Sequence, residues 1–186
     1  MQGTEYEVSC IKKNLWNKYK VIALGVDPGT ATTGYGIVKD SPDGRLKKIC
    51  YGVIRTDPKT PYSLRLKEIH EGITNLIRQY NPETIAIEQL FFNKNIKTAL
   101  TVAQSRGVII LTASLAELEV VEYTPLQVKE AVHGYGRADK TQIQQMVKVL
   151  LGLDEIPKPD DAADALAIAI CHLNSYKMRR HIFERL

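Results

Sequence analysis

The chain has 186 residues, a formal net charge of +4, 44% hydrophobic and 25% charged residues, which predicts one globular domain burying roughly 70% of its unfolded surface. No apolar run approaches the roughly 20 residues of a membrane span, and the first twenty residues lack the apolar core of a secretory signal, so a cytoplasmic protein with no membrane partner is expected. Cys10, Cys50 and Cys171 are odd in number and far apart, which excludes a disulfide framework and a thiolate zinc site, while the modest positive charge permits a nucleic-acid partner without demanding one.

After an N-terminal extension (1–20), Val21 to Asp27 reads as a strand followed by the turn residues Pro28-Gly29. Thr33 to Lys39 reads as a second strand, Pro42-Asp43-Gly44 as a turn, and Arg45 to Thr56 as the third strand of an antiparallel meander. Leu66, Ile69, Ile73, Leu76, Ile77 and Tyr80 recur at helical spacing, and Asn81-Pro82 stops that helix. Thr84 to Glu88 is a short strand apolar on both faces, as a central parallel strand is. A long helix is predicted from about Asn95 to Leu118, a strand over Val120 to Tyr123, and a helix from Pro125 to about His133. Gly134-Tyr135-Gly136 forms a loop, Asp139-Lys140-Thr141 opens a further helix, and Pro157-Lys158-Pro159 precedes the last. The implied architecture is α/β, a five-stranded mixed sheet with helices on both faces. The domain is expected over 21–178, with a basic tail over 179–186.

Four acids stand out against this frame. Asp27 and Glu88 end apolar strands, and Asp161 and Asp164 lie in an alanine-rich helix. An unpaired buried carboxylate costs several kcal/mol or more, so it is protonated, paired or metal-bound. Asp164's neighbours three and four residues away are Asp161, Asp160, Ala167 and Ile168, none of them basic. If the first and fourth strands are parallel, Asp27 and Glu88 share the carboxyl edge, where open α/β sheets build their sites. Val21, Ala23, Gly25 and Asp27 point to one side, Ala86 and Glu88 to one side of their strand; these small residues leave room for the last helix to bring Asp161 and Asp164 close. Ordinary explanations exist: acids in a first helical turn act as caps, which suits Asp160 and Asp161, and Asp27-Pro28-Gly29 is a common turn. Glu88 has no turn role. Carboxylates are hard ligands suited to Mg²⁺ or Mn²⁺.

Asp27-Pro28-Gly29 with Thr33-Gly34-Tyr35-Gly36, Ile87-Glu88-Gln89 with Phe91 and Lys94-Asn95, Gln104-Ser105-Arg106-Gly107, Gln127-Val128-Lys129, and Asp161-Ala162-Ala163-Asp164-Ala165-Leu166-Ala167 together resemble the RuvC family of Holliday-junction resolvases over about residues 20 to 175. The resemblance implies a ribonuclease H-like fold and a homodimeric endonuclease that nicks a four-way DNA junction symmetrically. It implies two Mg²⁺ per site (Mn²⁺ substituting), held by Asp27, Glu88, Asp161 and Asp164, products with 5′-phosphate and 3′-hydroxyl ends, and a branch-migration complex as partner. Asp160 stands beside Asp161 as an alternative. Residues 1–20 have no counterpart in the family.

The resemblance implies Phe91 as the ring that stacks on a base at the junction; candidate phosphate contacts are Lys94, Lys97, Arg106, Lys129, Arg137 and Lys140, the last at a helix N-terminus where free N–H groups favour phosphate. Arg106-Gly107 with Ala99, Ala103 and Ala113 would let the long helix approach either a partner or its own sheet. Gly134 to Thr141 imitates a phosphate-binding loop but follows a helix and has Asp139 at the second glycine position. His172 lies more than two turns from Asp164. The alternatives to a nuclease are one lobe of an actin-like nucleotide-binding phosphotransferase, which lacks here a second lobe and second phosphate loop, and a non-catalytic junction-binding protein, for which four acids near phosphates are unsuited.

Overall fold

The computed structural model describes residues 21–90 and 96–183. Strands β1 (Ile22–Asp27), β2 (Thr32–Asp40) and β3 (Leu46–Arg55) form the antiparallel meander, followed by α1 (Tyr62–Tyr80), β4 (Thr84–Glu88), α2 (Ile96–Leu115), β5 (Glu119–Tyr123), α3 (Pro125–His133), α4 (Lys140–Leu151) and α5 (Asp160–Phe183). The sheet order is β3-β2-β1-β4-β5, with β4 parallel to both β1 and β5. This is the expected five-stranded mixed sheet.

Each face of the sheet carries its own core, as side-chain alternation requires. Leu24, Val26, Ile37, Ile85 and Ile87 pack with Ile69 and Ile73 of α1 and Ile109 and Ala113 of α2. Ala23, Val38 and Ala86 point the other way, towards α3, α4 and α5. The second face is built from small residues for a reason. A Cβ on Gly25 would lie 2.2 Å from the Ala165 carbonyl oxygen, and one on Gly36 would lie 2.8 Å from the Leu166 nitrogen. The backbone of α5 therefore lies almost flush on β1 and β2, which is why this helix is apolar on nearly every side. Lys177 ties its far end to the β2–β3 turn through Asp40 (2.8 Å) and the Gly44 carbonyl (2.8 Å).

Element ends follow local chemistry. Asn81 takes a left-handed conformation (φ 45°) and donates to the Ile77 carbonyl, closing α1. Thr124 and Asp139 form capping boxes with Gln127 and Gln142, opening α3 and α4. α2 stops at Leu115, three residues before the expected Leu118, because the chain turns at Glu117 (φ 56°) and Leu118 donates back to the Ala113 carbonyl. α5 runs unbroken past residue 178 to Phe183.

Candidate active site

Parallel pairing of Val26 with Ile87 sets the next residues, Asp27 and Glu88, side by side at the carboxyl edge of β1 and β4. Across the antiparallel pair, Asp27 faces Gly34. The missing side chain there admits the start of α5: a Cβ on Gly34 would lie 2.0 Å from the Asp161 carbonyl oxygen and 3.1 Å from the Asp161 Cβ. Asp164 follows one turn along the same face. Three separate stretches of chain thus deliver Asp27, Glu88, Asp161 and Asp164 to one edge.

Their electrostatics record the proximity. Burial, then the charges of Asp164, Glu88 and Asp161, push the Asp27 carboxyl up to about 7, with Lys140 opposing. Glu88 is raised by burial and by Asp164 against Lys129. Asp164 is raised by burial, Asp160 and Asp161 acting in the same direction and Lys140 against it. Carboxylates that resist ionising together need a cation. Part of that need is met from within: Lys140 Nζ lies 3.3 Å from Asp164 and 3.1 Å from Asp160. With this pairing, no three Asp, Glu, His or Cys side chains among the described residues stand together as the ligands of one ion.

Asp160 and Asp161 part company. Asp160 is exposed, accepts from Gln144 Nε2 at 3.0 Å, and is held below the usual carboxylate range by its hydrogen bond from Lys140. Asp161 is half-buried against Gly34 and acts on Asp27. Between α3, α4 and α5 a cleft of about 220 Å³ opens on Glu88, Lys129, Lys140 and Asp164.

The loop after Asp27 is fixed by side chains that sequence reading passed over. Thr30 Oγ1 lies 2.7 Å from Ser105 Oγ and donates to the Thr101 carbonyl at 3.0 Å, both on α2. Thr56 Oγ1 donates to the Thr30 carbonyl at 2.6 Å, and Thr33 Oγ1 to the Gly29 carbonyl at 2.6 Å. Short hydroxyl residues offer no periodicity, so only tertiary placement reveals them.

The model of the family described as crossover junction endodeoxyribonuclease RuvC matches residues 23–172. The chain belongs to the RuvC family. A RuvC of Syntrophomonas wolfei, named as a crossover junction endodeoxyribonuclease, is 56% identical over 155 residues, 83% of this chain and 90% of that protein. The Thermus thermophilus RuvC structure superposes with a TM-score of 0.80 at 34% identity, covering 85% of this chain and 96% of that one. The same RuvC in complex with Holliday junction substrate gives 0.78 at 31% identity with the same coverage. The fold is therefore ribonuclease H-like, and the chain is a member of a family of endonucleases.

The DNA contacts expected from RuvC motifs divide into groups. Phe91 and Lys94 lie outside the described residues, as does the side chain of Lys97. Lys129 is half-buried and acts on Glu88, and Arg137 is exposed on the loop before α4. Arg106 joins α2 to β5: its guanidinium pairs with Glu122 at 2.5 Å and its side chain is 18% exposed. At the start of α4, Asp139 caps the helix and accepts from Gln142 N–H at 2.9 Å, and the Lys140 side chain reaches Asp160 and Asp164. His172 is buried in the core, its Nε2 2.8 Å from Thr84 Oγ1 and its Nδ1 3.0 Å from the Tyr123 hydroxyl. The glycine loop of 134–136 follows α3, as a phosphate-binding loop does not.

Proposed function

We propose that this chain resolves four-way DNA junctions by paired nicks, with Asp27, Glu88, Asp161 and Asp164 holding divalent cations. The observation that supports the assignment is the convergence of the acids on one sheet edge, Asp27 and Glu88 ending the paired strands β1 and β4 and the start of α5 set against Gly34. The donor set fits Mg²⁺, since every oxygen is a hard carboxylate and no thiolate or imidazole joins them. Mn²⁺ fits the same oxygens. Bound there, such ions would supply an activated water and stabilise the leaving oxygen of a phosphodiester. The protein's own part is to fix the carboxylates through the sheet and the Thr30–Ser105 clamp, and to set Lys129 and Lys140 beside them for the phosphate. Lys140 pairs with Asp164 at 3.3 Å and would compete with a cation bound there.

Homodimer formation is part of the reading. Leu100, Leu111 and Leu115 are 60%, 58% and 70% exposed on the outward face of α2, with Gly107 open between them. Three outward leucines on one face of the helix suit a second copy of the helix, and a twofold dimer suits the twofold symmetry of a junction. Ala113 faces the chain's own core, which removes it from the expected partner surface. The 5′-phosphate and 3′-hydroxyl ends, the branch-migration partner and the cytoplasmic setting rest on the family resemblance.

The test is cleavage of a synthetic four-way junction in Mg²⁺. Asp27→Asn and Glu88→Gln are expected to lower the rate on the order of 100-fold or more, beyond the 10–100-fold typical of changes around a metal's outer shell. Wild-type rates in both variants would overturn the assignment.

A further inference from the structure

The loop between α3 and α4 carries an aromatic side chain that the resolvase motifs leave without a role. Tyr135 is 56% exposed. A single exposed apolar residue is unremarkable on any surface, but here the backbone on both sides is pinned. Gly134 caps α3 in the left-handed region (φ 78°), its N–H donating to the Glu130 carbonyl at 2.8 Å. The Ala138 N–H donates to the Tyr135 carbonyl at 3.1 Å, closing a four-residue turn, and the Ala138 side chain is buried. Gly136 lies so close over α3 that a Cβ would sit 2.3 Å from Leu126 Cδ1. Leu126 belongs to the first turn of α3, the end joined directly to the carboxyl edge of β5. The turn therefore folds back towards the edge that carries the acids.

Its neighbours complete a nucleic-acid surface. Arg137 is exposed within the turn, and Lys140 follows it at the start of α4, in contact with Asp164. Lys129, on the same α3, acts on Glu88. An exposed aromatic ring on a backbone-pinned turn that also carries the exposed Arg137 offers a base a stacking face, a combination suited to unpaired nucleotides. We infer that Tyr135 stacks on a nucleobase of the junction strand entering the acid cluster, fixing which nucleotide lies over the carboxylates. The inference rests on the proposed junction-cleaving function and adds an aromatic contact to the basic residues of α3 and α4.

The experiment uses full-length Asp27→Asn protein, so that the junction stays intact, with a synthetic four-way junction carrying 2-aminopurine beside the crossover. Adding Tyr135→Ala is expected to weaken binding about 5- to 100-fold, the range of one lost base stack, to abolish quenching of one 2-aminopurine position, and to leave thermal melting unchanged. Tyr135→Phe keeps the ring and should retain both affinity and quenching. A stacking contact leaves the slope of log affinity against log salt unchanged, whereas a lost phosphate contact lowers it by about one. Undiminished binding and quenching in Tyr135→Ala would overturn the inference, and so would equal losses in Tyr135→Phe, which would point to the hydroxyl. If the Asp27→Asn parent itself fails to bind the junction, the proposed function falls first and the stacking role with it.

Discussion

Replacing Asp27 by Asn removes a charge and keeps the shape, so it separates what that carboxylate costs the fold from what it does. Its folded pKa of about 7 stands above the ordinary 3.8. The folded protein therefore holds a proton that the unfolded chain releases between about pH 4 and 7, and metal-free stability is lost as pH rises through that window. Asp27→Asn should match wild type at pH 4 and exceed it at pH 8 by roughly 4 kcal/mol without metal, at about 1.4 kcal/mol per pKa unit over the rise from 3.8 to about 7. Saturating Mg²⁺ should stabilise only the wild type. His172 works in the opposite sense. Burial, with the charge of Arg179, holds its ring down to about 4 from 6.5, so its contribution is complete above pH 6.5 and lost as pH falls towards 4. With Asp27 neutralised by mutation, acidification across 6.5 to 4 should expose a loss that wild type partly offsets. Urea denaturation at pH 4, 6.5 and 8 measures both, and a difference between wild type and Asp27→Asn that does not change with pH would contradict the coupling.

At the scale of elements, α2 has two jobs on two faces. Its inward face supplies Ile109, Ala113 and Ser105 to the core and to the Thr30 clamp; its outward face offers Leu100, Leu111 and Leu115. Leu111→Glu should convert the proposed dimer to a folded monomer by sedimentation and circular dichroism, because that side chain is 58% exposed in the single chain, and should turn paired nicks into unpaired ones. A variant that stays dimeric would place the interface elsewhere. The existence of α2 was readable from its composition, but its outward stripe was not: Leu100 and Leu111 look the same in sequence as the buried Ile109. Helices α3 and α4 were readable because Thr124-Pro125 and Asp139 carry their own start signals. The premature end of α2 was not, since the turn at Glu117 is held by a backbone bond that sequence does not display.

For the whole molecule, alternation and strand ends were enough to bring Asp27 and Glu88 to one edge, and the small residues of β1 and β4 announced a close helix. Gly25 against α5 realises that signal, and Gly34 and Gly36 of β2 extend it to a strand the sequence reading did not include. What stayed hidden were charges meeting across long stretches of chain: Lys140 on Asp164, and Arg106 on Glu122. No local spacing rule reaches from α4 to α5, so the absence of a basic neighbour on Asp164's own helix said nothing about a lysine delivered by another. The choice between Asp160 and Asp161 likewise depended on which one the Gly34 gap admits. The measurement that bears most directly on the central claim is anomalous diffraction from crystals soaked in Mn²⁺. The account predicts a peak in contact with both Asp27 and Glu88, with Lys140 withdrawn from Asp164; an empty edge, or Mn²⁺ bound only at Asp160, would contradict it.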